Sequence, residues 1–144
     1  MFADNTDIQA WLESSKITVD DANSQKPNIE AERLIKGQLT GVFEPVVISS
    51  WADPASTPEL IRSIAGRLAA AYMYYAIYSE ESDAISPYAQ WLYNGAIAML
   101  TDVRTGALIV TDDSEEPIDV SGAELLSFWP SDNAPKFTMD QEFA

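Results

Sequence analysis

The chain has 144 residues and a mass of 15.8 kDa, enough for one domain that removes roughly two-thirds of its surface from water on folding, so its core needs neither metal nor disulfides. It contains no Cys and no His, which excludes disulfide scaffolds, thiol nucleophiles, Ser-His-Asp triads and histidine metal sites. Lys and Arg total 8 against 23 Asp and Glu, a net charge of −15, which argues against duplex binding through neutralised phosphates and against an anionic membrane surface.

The first residues, Met1–Ile8, carry Asp4 and Asp7 where a secretory leader needs a basic start and an apolar run, so no leader is expected. Thr6 and Gln9 have the spacing of a capping box and predict a short helix through Ile8, Trp11 and Leu12. Ser14 to Pro27 is polar and reads as a loop, with an ambiguous piece at Ile17–Val19. Pro27 or Asn28 then opens a second helix, since Pro suits N1 and Asn suits N-cap. Its apolar positions Leu34, Ile35, Leu39, Val42 and Phe43 recur every three to four residues. Gly37 and Gly41 weaken such a helix by about 1 kcal/mol each relative to Ala, which points to close packing there.

From Glu44 to Thr57 the chain carries Pro45, Pro54, Trp51 and the run Val46-Val47-Ile48, and reads as a connector with one short strand. Thr57 caps a third helix, with Pro58 at N1 and Glu59 where a negative charge meets the positive end of the helix dipole. Its main stripe is Ile61, Ile64, Leu68, Tyr72 and Tyr75, widened by Leu60, Ala69, Met73 and Ala76. The stretch Ile64 to Ile77 is the most apolar of the chain, but it holds Arg67 and is too short to cross a bilayer. Ser79 to Asp83 forms an acidic break.

Ser86 and Pro87 repeat the cap-then-proline signal for a fourth helix, with Tyr88, Leu92, Ala96, Met99 and Val103 on one strip and Trp91, Tyr93, Ile97 and Leu100 on a second. Two helices apolar over more than half their girth carry more hydrophobic surface than a small bundle interior uses. The surplus predicts an interface, assigned to Tyr74, Tyr78, Trp91, Tyr93 and Ile97. Gly106 ends the helix at C′.

Beyond Gly106, Ala107–Thr111 is a short β-like run and Asp112 to Pro117 a solvated acidic turn. Leu125, Leu126, Phe128 and Trp129 form one apolar cluster, which either docks on a partner or folds back on the chain's own helices. Residues 107–144 hold nine acids against Lys136 alone and cannot build a core of their own. The predicted architecture is therefore mainly α: a small four-helix bundle-like domain over residues 1–106, followed by an extended, acidic arm with short β pieces over 107–144.

Chemical sites are scarce. Asp112, Ser114 and Glu116 have EF-hand-like spacing, but Pro117 stands where Gly is needed and Ala123 where the bidentate Glu belongs, so a solvated loop is the better reading. Glu80 and Glu81 are adjacent acids in a linker without another catalytic group nearby in sequence. No GxGxxG or GxxxxGK pattern occurs. Tyr72, Tyr74, Tyr75 and Tyr78 lack the basic groove that base stacking requires, having only Arg62 and Arg67 near. No catalytic residue, cofactor or metal is expected.

Phe43-Glu44-Pro45, the helix from Thr57-Pro58-Glu59-Leu60-Ile61-Arg62-Ser63-Ile64-Ala65 through Leu68 and Tyr72, and Tyr93-Asn94-Gly95-Ala96-Ile97-Ala98-Met99-Leu100 leading into Val103-Arg104-Thr105-Gly106-Ala107-Leu108 together carry a family resemblance. Over residues 7–110 the chain resembles the tailed-bacteriophage head-to-tail connector proteins, also called adaptor or head-completion proteins. The tyrosine-rich third helix and the long acidic tail depart from that pattern. The resemblance implies a non-catalytic virion protein, made in the host cytoplasm, that assembles as a closed ring of about twelve copies beneath the portal. Such a ring extends the DNA channel without binding DNA specifically and offers a face to the next tail component. It further implies that the arm reaches the portal protein or a neighbouring copy; the apolar cluster then predicts Leu125, Phe128 and Trp129 as its anchors. The rival readings are an acidic DNA-mimic inhibitor of a host nucleic-acid enzyme and a chaperone-like helical interaction module.

Overall fold

Five helices form among the described residues of the computed structural model, which are 1–14, 16–78 and 86–118: α1 (Asn5–Gln9), α2 (Asp21–Leu39), α3 (Pro45–Ser50), α4 (Glu59–Tyr78) and α5 (Pro87–Thr105). The protein is mainly α, a small helical bundle-like domain of three long helices with two short ones.

Helix α1 starts earlier than its Thr6 signal suggests. Asp4 is the N-cap, its carboxylate accepting the Asp7 N–H at 2.9 Å while the Asp7 carboxylate accepts the Asp4 N–H at 2.9 Å. Two acids thus satisfy two orphan donors at the positive end of the helix dipole. Gln9, expected in that capping box, instead organises the segment that follows. Its Nε2 donates to the carbonyls of Leu12 and Ile17, each at 3.0 Å, and its Oε1 accepts the Val19 N–H at 2.9 Å.

Helix α2 corrects the expected loop over Ser14–Pro27. Asp20 and Asn23 form a reciprocal capping box, so the helix opens six residues before Pro27, which lies inside it. An internal Pro costs about 3 kcal/mol of helix propensity. The cap and the contacts of the first turns offset it: Ser24 donates to Asn5 Oδ1 at 2.6 Å, and Asn28 Nδ2 donates to the Ala3 carbonyl at 2.7 Å. The buried positions Ser24, Asn28, Ala31, Ile35 and Leu39 continue one stripe across the proline. The helix ends at Leu39 rather than running to Phe43, because Gly41 takes φ 93°, a left-handed conformation that favours glycine.

The expected strand at Val46-Val47-Ile48 is helical, the short α3 with Pro45 at its first turn. Ile48 turns inward and Val46 outward. Trp51 follows, 4% exposed, with its ring edge-on to Phe2 at 5.9 Å and to Phe43 at 5.6 Å.

Helix α4 is the axis of the domain and packs against α1, α2 and α5. This arrangement absorbs most of its apolar girth internally and leaves its C-terminal turns, with Ala76 and Ile77, exposed. Buried residues run round it, from Ile61, Ile64 and Leu68 to Ala65, Gly66, Ala69, Ala70, Ala71 and Met73, whereas Tyr72 and Tyr75 are only half-buried. Its small residues let neighbours approach closely: a Cβ at Gly66 would stand 2.8 Å from the Asp7 carbonyl oxygen. Arg62 fixes the same junction, with Nε and Nη2 reaching both Asp7 carboxylate oxygens at 3.0–3.2 Å.

Helix α5 follows its sequence signals at both ends. Ser86 accepts the Ala89 N–H, Pro87 occupies the first turn, and Gly106 takes φ 82° at the C-cap. Its buried stripe is Ala89, Leu92, Ala96, Leu100 and Val103, which rotates Tyr88 to the surface and leaves Met99 half-buried. After Gly106 the chain returns to the core through buried Val110, and an isolated bridge joins Thr111 to Pro117. Asp112 Oδ1 accepts the N–H groups of Ser114 at 2.8 Å and Glu116 at 3.0 Å, so the acidic turn is closed by its own first carboxylate.

Candidate functional site

The feature of greatest consequence is an aromatic belt across α4, α5 and the turn that follows α1. On α4, Tyr74 and Tyr78 are one helical turn apart and their rings meet at 4.5 Å. On α5, Tyr88 and Trp91 have i, i+3 spacing and stack at 5.8 Å with planes 21° apart. Tyr74 meets Tyr88 edge-on at 5.6 Å, which links the two helices. The Tyr88 hydroxyl donates to the Trp11 carbonyl and ties in that turn.

Arg67 anchors the belt from beneath. Its guanidinium lies 4.4 Å from the Trp91 ring and 5.1 Å from the Trp11 ring, between two π faces that attract a cation. Nε donates to the Leu92 carbonyl at 2.9 Å and Nη2 to the Trp91 carbonyl at 3.0 Å. Neither arginine near the tyrosines therefore offers itself to a phosphate, since Arg62 is held by Asp7 and Arg67 by α5.

Beside the belt runs a groove of about 380 Å³, floored by Leu12 and Ile17 and walled by Trp11, Tyr74 and Tyr88, with Glu13 and Lys16 at its rim. Lys16 pairs with Glu13 at 3.3 Å. The hydrogen bond and charge of Glu13, with a smaller contribution from Tyr74, hold its ammonium above the usual lysine range. A second cavity of about 510 Å³ lies between α1 and the start of α4, where Asp113 of the acidic turn joins Trp11, Asp7 and Arg62.

The five residues assigned to an interface do not form one face. Tyr74, Tyr78 and Trp91 belong to the belt, with Trp91 55% exposed. Tyr93 lies about 200° round α5 from Trp91, and its ring sits 6.2 Å from Tyr72 on another side of α4. Burial, then Tyr93 and Glu30, push the Tyr72 hydroxyl above the usual tyrosine range. Ile97 is half-buried against the core. Leu125, Leu126, Phe128 and Trp129 lie outside the described residues, as do Glu80 and Glu81.

Sequence reasoning missed Tyr88, Trp11 and Arg67 as belt members. The i, i+3 spacing of Tyr88 and Trp91 was available as a signal; Trp11 and Arg67 had none, because their partners are distant in the chain. Among the described residues no group of three or more Asp and Glu is placed to hold a metal ion, and no helix is long and apolar enough to cross a membrane. Comparison with family models, curated proteins and solved structures finds no match to this chain.

Proposed function

We propose that this chain is a protein-docking module that acts as a ring subunit joining phage head to tail beneath the portal. The observation that carries the reading is the belt: Tyr88 is 40% and Trp91 55% exposed on a helix whose other side is core. Aromatic side chains are enriched where proteins meet, and covering them gains about 25 cal/mol per Å² of apolar surface. The belt is rigid, since Arg67 and the Trp11 carbonyl fix its members before a partner arrives, and that lowers the entropy cost of docking. The resemblance over residues 7–110 supplies the finer assignment to a connector. A net charge of −15 suits a conduit wall, because like charge keeps passing DNA from sticking.

In this reading Leu125, Leu126, Phe128 and Trp129 anchor the arm on the portal protein or on a neighbouring copy. Native mass spectrometry of the chain, alone and with the portal protein encoded beside it, tests the assignment. Many copies added to the portal ring are expected. A stable free dimer with no portal binding overturns the connector reading and favours a helical interaction module. Replacing Phe128 and Trp129 by Ala is expected to abolish attachment while the free monomer stays folded; unchanged attachment removes the anchor.

A further inference from the structure

We infer that the outward face of α2 docks on the acidic cavity between α1 and the start of α4 of a second copy of this chain, in a head-to-tail contact. The inference deepens the docking-module reading and rests on it, naming the two surfaces through which copies meet. Its first ground is a helix face with nothing on it. Ala22, Lys26, Arg33 and Gly37 form one exposed stripe of α2, opposite the buried positions of that helix. Lys16, Lys36, Arg62, Arg67 and Arg104 all have polar partners, and Lys26 and Arg33 are the two bases of the described residues left without one. Glu30, which flanks them, pairs with neither, so the stripe keeps a positive charge in a chain of −15. Gly37 is an independent sign. Glycine inside a helix is costly relative to alanine. At Gly66 and Gly95 the reason is internal, since a Cβ would stand 2.8 Å from the Asp7 carbonyl oxygen and 1.8 Å from Arg67 Nη2. At Gly37 a Cβ would meet nothing within 4 Å, and the close approach of a neighbour supplies the reason that the described chain does not.

The second ground is the opposite charge of the receiving surface. The cavity of about 510 Å³ is lined by Trp11, Asp7, Glu59, Arg62 and Asp113 among others. Arg62 is taken up by Asp7 and Asp4, whereas the carboxylates of Glu59 and Asp113 make no ion pair or hydrogen bond among the described residues. Two free carboxylates thus stand in a recess with an indole wall, which suits a guanidinium or an ammonium through charge and through the π face. A recess of this size has room for the head and stem of an arginine. Asp113 is held in place, because the Asp112 carboxylate closes its turn. Trp11 also walls the groove beside the belt, so a neighbour's α2 seated here lies next to the aromatic surface. The two surfaces belong to different parts of one chain. A two-fold contact of either with itself would set like charge on like, whereas a head-to-tail contact pairs opposite charges and closes as a ring.

Two full-length variants test the contact in low-salt buffer, by sedimentation velocity and native mass spectrometry. Lys26→Glu with Arg33→Glu removes the basic face and keeps the cavity; Glu59→Gln with Asp113→Asn neutralises the cavity and keeps the face. All four side chains are exposed, so both variants should fold with little change in melting temperature. The wild type is expected to self-associate, and each variant alone to do so at least tenfold more weakly. Mixed in equal amounts, the two variants should form a one-to-one dimer and nothing larger, since a single intact pair of surfaces remains between them. A wild type that stays monomeric overturns the inference, as does a variant that associates like the wild type or a mixture that yields no dimer. Portal binding is read separately. Both variants adding to the portal ring in full number keeps the connector assignment and removes this contact; a dimer in the mixture without portal binding keeps the contact and removes the connector assignment.

Discussion

The guanidinium of Arg67 occupies the space that a side chain at Gly95 would need: a Cβ there would stand 1.8 Å from Nη2 and 2.2 Å from Cζ. Gly95 is therefore the opening through which Arg67 crosses α5 to reach the Leu92 and Trp91 carbonyls and lie between Trp11 and Trp91.

Ala at position 95 raises helix propensity by about 1 kcal/mol but displaces a cation held by two hydrogen bonds and two indole faces, a loss of about 2 kcal/mol. Gly95→Ala is expected to destabilise the protein by about 1 kcal/mol in urea unfolding. In an Arg67→Ala background the same substitution should stabilise by about 0.5–1 kcal/mol, since only propensity remains. Equal effects in the two backgrounds would show that Arg67 and Gly95 are not coupled.

Gly66 meets backbone rather than a flexible side chain, with the Asp7 carbonyl carbon 3.0 Å and its oxygen 2.8 Å from a Cβ. Gly66→Ala must therefore move α1 away from α4 and strain the Arg62–Asp7 pair. A net loss of about 1–2 kcal/mol is expected after the propensity gain. Faster amide exchange at Asp7 and Ile8 would accompany it; unchanged stability and exchange would mean that α1 shifts freely.

The tryptophans separate core from surface. Trp51, between Phe2 and Phe43, should cost about 3–5 kcal/mol when replaced by Ala. Trp91→Ala should cost only about 1 kcal/mol, mostly its contact with Arg67. In the docking reading the same replacement also removes the oligomer, while the dilute monomer loses no more than about 1 kcal/mol; an oligomer that survives it would take Trp91 out of the interface.

Acid should weaken the protein in part through Glu32. Burial alone would raise the Glu32 carboxyl, but Lys36 at 2.5 Å and the Met1 ammonium at 3.4 Å outweigh it and hold it below the ordinary value of 4.5. A group depressed in the folded state contributes stability above its unfolded value and loses it as pH falls through the folded one. Between about pH 6 and pH 3 the wild type should lose more stability than Glu32→Gln, measured by denaturant midpoint. Parallel curves would remove Glu32 from the acid response.

The helical class, α5 with its Ser86-Pro87 start and Gly106 stop, and most of α4 were determined by the sequence alone, because caps, prolines and 3.6-residue periodicity act over a few residues. The start of α2 was not, because its Asp20–Asn23 cap had to outweigh Pro27 with the help of Asn5 and Ala3, which come from a different part of the chain. Nor could the sequence decide which apolar helix would bury most of its girth. The alternation of small and large residues made α4 fit to be an axis, but only packing against three helices made it one. The belt is likewise a tertiary product. Trp11, Arg67 and Trp91 have no local relation, and the opening at Gly95 that brings them together exists only once α5 lies across α4. Local sequence decides the elements whose caps and periodicity agree, as in α5; contact between distant segments decides the others and selects the faces all of them show, because burial is set by neighbours that the chain reaches only on folding.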